Sequence, residues 1–239
     1  MQNQATEISG KESRMLEKHG DLQLWLLGTD QIPEFNRYIL TVYNQAFSDG
    51  EAAVPAADIE SQSELYFHRA RVCGVRHESG RLIGTWGLVV KDLEDPVDPE
   101  FQLPTQSYYD LRTESILEIM EAPEVRFLFN GWRTAVDKDA LEELRLDRNR
   151  SIFIFDLLMR GLTLDFKGLP EQYLGIADME KLVYKYHRRV GIPWKILGDP
   201  IHFWGRDRYP CGFRFGEYIE YMRTHHPERY EFLNAPIQS

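Results

Sequence analysis

Residues 173–205 read YLGIADMEKLVYKYHRRVGIPWKILGDPIHFWG, and the order of elements in this stretch decides the fold. Tyr173–Ala177 is an apolar run of strand length. Met179–Val190 predicts a helix, because Met179, Leu182, Val183, Tyr186 and Val190 recur on one face at the 3.6-residue period. Lys181, Lys185, Arg188 and Arg189 take its outer face, three of them near the C-terminus, where cations suit the helix dipole. Gly191 stands where a left-handed residue ends a helix, and Pro193 blocks continuation. Trp194–Leu197 reads as a second strand and Gly198-Asp199-Pro200 as a turn. By periodicity alone this is a β-α-β piece of an α/β domain and nothing more specific.

Outward from that stretch, the same signals repeat. Residues 1–20 are polar and charged, a flexible segment that reads as a frayed tail or a loosely docked helix. Leu22–Leu27 is a strand closed by Gly28-Thr29-Asp30. Pro33 sits early in a helix running to about Phe47. An Ala/Pro-rich loop (Ala52–Ala57) and a helical stretch around Glu60–His68 precede strand Ala70–His77. Glu78-Ser79-Gly80 is a hairpin signal, followed by strand Leu82–Lys91. Residues 92–112 are proline-rich and read as an irregular loop. Ser115–Met120 is helical, and Arg126–Val136 is a strand interrupted at Asn130-Gly131, a pair that suits a bulge. Ala140–Leu146 and Arg148–Leu164 are helices, the second apolar nearly all round and so buried against a sheet. Tyr209–Phe215 is a last strand and Gly216–Tyr230 a terminal helix. The expected fold is α/β (α+β): one domain over residues 21–239, a mixed sheet with helices on both faces.

Composition narrows the function classes. In 239 residues, 43% apolar and 13% aromatic content is that of a compact chain rather than a disordered one. The longest apolar stretch, Ile152–Met159, is broken by Asp156 and too short to span a bilayer. Glu7, Lys11, Glu12 and Arg14 leave no apolar core for a secretory signal, so the expected location is cytoplasmic. Cys73 and Cys211 suggest neither a disulfide framework nor a cysteine metal site. The histidines His77, His202, His225 and His226 lack ligand spacing, so no metal is expected. A net charge of −10 argues against nucleic acid as partner. Two basic groups run against that total: Arg145, Arg148, Arg150 and Arg160, and Lys185, Arg188, Arg189 and Lys195. They are local steering patches or solvated helix faces.

Several short motifs occur in a telling order. Gly80-Arg81-Leu82-Ile83-Gly84-Thr85 forms a Gly-x-x-x-Gly-Thr hairpin. Phe101-Gln102-Leu103-Pro104 precedes the interrupted strand, which carries Trp132-Arg133-Thr134-Ala135-Val136. Tyr186-His187-Arg188-Arg189-Val190-Gly191 and Leu197-Gly198-Asp199-Pro200 close the series. Across residues 35–215 the chain resembles the GNAT acyltransferase superfamily, in the branch of N-acyl amino acid synthases and acyl-homoserine-lactone (autoinducer) synthases. The resemblance implies a GNAT-like, mostly antiparallel sheet. It also implies an N-acyltransferase that moves a fatty acyl group from acyl carrier protein, or acyl-CoA, to the amine of an amino acid or related metabolite. The thioester is then a co-substrate, and no tightly bound cofactor is expected.

By the same resemblance, Arg133 is the family arginine, and the bulge backbone at Gly131 or Trp132 faces the thioester carbonyl. Two positions depart from the pattern. Asn130 stands where the family has a glutamate that is a candidate base, and Gly87 where an arginine is usual. The departures favour the amino acid synthase type over the autoinducer type, and they keep a non-catalytic acyl-carrier or lipid binding module as the alternative. The helix start through Arg145, Arg148, Arg150 and Ser151 is placed to receive the carrier's phosphate arm, since free N–H groups and the dipole favour an anion there. His187, or Tyr186 beside it, is the expected proton shuttle, histidine for its near-neutral pKa. From their spacing alone, Glu64 and His68, one helical turn apart, are either contacts to the acceptor amine or an i,i+4 surface pair.

Overall fold

The structure is a computed structural model that describes residues 10–46, 54–95, 100–163, 169–189 and 191–236, without the side chains of Arg148 and Tyr186. The chain forms two compact units. One comprises residues 1–88, 133–165 and 232–239, the other residues 89–132 and 166–231. Nine strands, mostly antiparallel, and nine α-helices fall among the described residues.

In the first unit β1 (Arg14–His19), β2 (Leu22–Leu26) and β3 (Ala70–His77) pair antiparallel in that order. The helices α1 (Ile32–Ala46), α2 (Ala56–Tyr66), α5 (Lys138–Glu143) and α6 (Arg148–Thr163) belong to the same unit. Side chains alternate along a strand, so β3 shows which helix covers which face. Arg71 Nε donates to the Gly161 carbonyl of α6 at 2.7 Å, whereas Arg76, an odd number of residues on, pairs with Glu34 of α1. α6 and α1 therefore lie on opposite faces. α6 fits closely because a side chain at Gly161 would run into Cys73 and Leu24.

β1 corrects the reading of residues 1–20 as a frayed tail or docked helix. Leu16 and Glu17 are both buried, because the register slips between Met15 and Glu17 and turns two neighbours inward. Residues 1–9 lie outside the described residues.

In the second unit β6 (Tyr173–Glu180) pairs parallel with the first residues of β5 (Phe127–Val136) and antiparallel with β9 (Arg206–Arg214). The short β7 (Lys195–Ile196) and β8 (Ile201–Phe203) both pair with β9. Phe129, Trp194, Phe213, Phe215 and Tyr218 form an aromatic core edge to face. Gly175 has no room for a side chain between Phe213 and Phe129. β4 (Leu82–Asp92) and β5 each run from one unit into the other.

Other expectations shift. β6 runs to Glu180, three residues past the expected end, so Met179 is a buried strand residue and α7 spans Lys181–Arg189. Leu182 and Val183, expected on the buried side of this helix, are exposed, Leu182 by 75%. Gly191 does end it, at φ +90°, with Gly191 N–H to Arg188 O and Ile192 N–H to His187 O closing the turn. The proline-rich loop contains a helix, α3 (Pro104–Tyr109), followed by α4 (Thr113–Ile119). Pro227 divides the terminal helix into α8 (Phe215–His225) and α9 (Pro227–Asn234). No helix of the described residues is long and apolar enough to cross a membrane. Cys73 and Cys211 are both buried and in no disulfide.

Candidate functional site

The site is built on β5. Its parallel ladder with β6 runs from Phe127↔Tyr173 to Asn130↔Ile176. Three residues later Arg133 adopts φ +54°, a left-handed conformation that costs a non-glycine residue about 1–2 kcal/mol. Such a residue inside a strand is the backbone signature of a bulge. The left-handed residue is Arg133, two residues past the Asn130-Gly131 pair that composition picked out. The buried Thr85 hydroxyl donates to the Arg133 carbonyl at 3.1 Å. Its neighbour Gly84 passes under α6, where a Cβ would stand 2.8 Å from Ile154. Those two contacts give the Gly-Thr pair of the hairpin its reason.

Arg133 is 5% exposed, in the first unit. Its Nη2 donates to Gln62 Oε1 of α2 at 2.7 Å, and the guanidinium lies 5.7 Å from the centre of the Tyr43 ring. Gln62 and Tyr43 are residues the sequence reading missed, since neither has a motif; only the three-dimensional approach of two helices to the kink reveals them. Glu64 and His68, expected at the acceptor, have exposed side chains. Glu64 lies two residues from Gln62, about 200° around the helix, which turns it away from Arg133.

Asn130, in the second unit, is 1% exposed and spends its amide on the backbone. Its Oδ1 accepts from Thr105 N–H at 2.8 Å, at the start of α3, and its Nδ2 donates to the Gly131 carbonyl at 2.7 Å. Trp132 is buried. The hydroxyl of Thr105 is buried with no hydrogen-bond partner among the described residues.

His187, also in the second unit, stacks on Trp194 with ring centres 6.2 Å apart. Burial pushes its pKa down to about 4, so the ring is neutral at pH 7. The near-neutral titration that made it attractive as a proton shuttle is absent. The side chain of Tyr186 lies outside those described. Trp194 is held by Arg188 Nη1 and the Tyr184 hydroxyl, which donate to its carbonyl at 3.0 and 3.3 Å.

The start of α6 is already capped. Asp147 Oδ1 accepts from Arg150 N–H at 2.9 Å, the N-cap to N3 bond, and the Asp147 carbonyl accepts from Ser151 N–H. Asp147 thus already takes two of the N–H groups at the helix start expected to receive a phosphate. The Arg150 side chain pairs with Asp21 at 2.8 Å. Arg145 is exposed at φ +55°, where Leu146 N–H to Leu141 O closes a helix end. In contrast, Lys181, Lys185, Arg188, Arg189 and Lys195 are all exposed, and none is in an ion pair within the described residues.

No protein-family model matches the sequence, and neither does any curated protein. Among solved structures the chain is similar to FeeM, an N-acyl amino acid synthase from uncultured soil microbes. The likeness covers 87% of this chain and 93% of that one at 13% identity, with a TM-score of 0.54. The chain has the GNAT fold. Weaker likenesses extend to the AHL synthase LasI (11% identity, 91% and 96% coverage, TM-score 0.47). A spermidine N-acetyltransferase from Vibrio cholerae is similar at 10% identity, 84% and 99% coverage and a TM-score of 0.45. The GNAT sheet expected from the hairpin, bulge and Leu-Gly-x-Pro motifs is therefore the sheet observed.

Proposed function

We propose that this chain is an N-acyltransferase of the N-acyl amino acid synthase type. It would move a fatty acyl group from acyl carrier protein, or from CoA, to the amine of an amino acid or related metabolite. The observation that carries the reading is the left-handed break in β5 at Arg133, in the strand where the GNAT resemblance calls for a bulge. In the reaction the amine lone pair attacks the thioester carbonyl carbon, a C–N bond forms and the C–S bond breaks. The proton lost by the amine ends on the departing thiolate. Backbone donors from Gly131 to Arg133 serve the developing oxyanion. Asn130 offers no base, and burial makes His187 a weak one, with a pKa of about 4, so the acceptor is proposed to react as the free amine.

The donor is read from charge. α7 and β7 present Lys181, Lys185, Arg189 and Lys195 together with exposed Leu182, Val183 and Ile196. A cationic rim around apolar side chains suits an acidic carrier protein. The alternative, a silent module that binds an acyl carrier, draws on the same Asn130 amide, which stands where a base is expected.

Lipid extracts from cells overexpressing the chain, analysed by mass spectrometry, distinguish the two. New N-acyl amino acids are expected with the parent chain, and a loss of at least about tenfold with Arg133→Ala. Thermal melting checks that the variant is folded. No new acylated species from a folded parent chain would reject the enzyme in favour of the silent module.

A further inference from the structure

We propose that Asn130 is a positioning residue for acyl transfer: a neutral clamp that fixes the bulge of β5, standing where a carboxylate base is otherwise expected. This rests on the acyl-transfer reading above.

The geometry asks for an amide. Oδ1 accepts from Thr105 N–H at 2.8 Å and Nδ2 donates to the Gly131 carbonyl at 2.7 Å, so the same short side chain must accept at one end and donate at the other. A carboxylate has no proton to donate. The place matters as much as the bonds. The ladder with β6 stops at Asn130↔Ile176, so the Gly131 carbonyl falls just past the last paired residue, and the left-handed turn of Arg133 follows two residues later. Between these points β5 keeps β4 as its neighbour, and on the side that β6 has left the Gly131 carbonyl takes its bond from the Asn130 side chain. Because a trans peptide is planar, fixing its carbonyl fixes the whole plane. A fixed plane needs no reorganisation as charge develops on the substrate oxygen, and electrostatic catalysis depends on that. The buried start of α3, tied to Oδ1, gives the clamp a rigid anchor. Asn130 touches no reacting atom; it acts through the backbone that does.

Asn130→Asp tests this with an isosteric change. While protonated, the introduced carboxyl has one donor and one acceptor and keeps both bonds; once ionised it faces the Gly131 carbonyl with no proton between. The new carboxyl is therefore held above its ordinary range of about 3.9. The variant matches the parent at low pH and falls away as pH rises through the raised pKa, with no further loss above it.

The assay is thiol release from the dodecanoyl thioester, on carrier protein or CoA as the parent chain accepts, with the acceptor amine identified from the lipid extracts. Below the melting temperature of both proteins, the ratio of variant to parent kcat is expected to fall about tenfold between pH 5 and 8. KM for the amine should change little. A residue with a purely structural role would lower the melting temperature and leave kcat of the folded protein intact.

If Asn130→Asp does not fold, Asn130→Ser, too short for either bond, should lose kcat equally at every pH. A kcat close to the parent's in the folded variant, flat from pH 5 to 8, overturns the clamp while the parent still turns over. A parent chain that releases no thiol overturns the acyl-transfer reading, and the positioning role with it.

Discussion

His187 shows how burial sets a residue's chemistry. With an ordinary pKa near 6.5 when unfolded and about 4 when folded, it binds fewer protons in the native state. Its contribution to stability is complete above about pH 6.5 and is lost as pH falls from there towards 4, by at most about 3 kcal/mol. Melting curves of the parent and His187→Gln should therefore converge or cross as pH drops from 7.5 to 4.5. An unchanged difference would mean that the ring is solvated. For the proposed reaction, the same value means that no ionisation near pH 6.5 in the rate profile belongs to His187. The motif around it located the residue, but only its packing on Trp194 and the burial around it set its proton affinity.

At the scale of elements, α6 and α7 differ in how their cations are matched. The arginines before and in α6 drew attention as a sequence cluster, yet Arg150 is matched by Asp21 and the helix start by Asp147. α7 keeps exposed cations beside exposed Leu182 and Val183. Reversing two of them, Lys185→Glu with Arg189→Glu, should raise KM for a carrier-bound donor about tenfold, leave kcat unchanged and flatten the salt dependence. Equal KM values at 50 and 300 mM salt for the parent would remove the electrostatic docking.

Most strands and helices were legible from periodicity and from glycine and proline punctuation: β3, β4, α1 and α6 fall within a few residues of their expected limits. β1 and α3 were not. β1 hides its strand pattern behind a register slip, and α3 starts inside a proline-rich loop. The left-handed turn at Arg133 was not legible, because contacts from Thr85 and Gln62, distant in sequence, hold this non-glycine residue.

For the molecule as a whole, the first described strand is fastened by residues from far along the chain. Arg160 of α6 forms two hydrogen bonds to the Glu17 carboxylate, at 2.7 and 3.2 Å, and further ones to the carbonyls of Phe232 and Pro236. Burial alone would raise the Glu17 pKa, but hydrogen bonds from Arg160 and His19 bring it below the ordinary glutamate value. Stability from this pair is present above pH 4.5 and lost as pH falls through the depressed value. Glu17→Gln should cost about 3–5 kcal/mol at pH 7, since it leaves a buried guanidinium without its charge partner, and less near pH 3, by at most about 2 kcal/mol. Urea denaturation at the two pH values measures the difference; equal losses at both would deny the ion pair its role.

The two buried thiols have a practical use. Cys73 lies in one compact unit and Cys211 in the other, and burial pushes the Cys211 thiol up to about 12, so neither meets an alkylating reagent in the native state. Each must wait for its own surroundings to open. The rate at which a reagent marks each cysteine then reports the opening free energy of that unit. Equal rates read as one cooperative unfolding and unequal rates as two. The chain carries a built-in probe for each half, with no label to engineer.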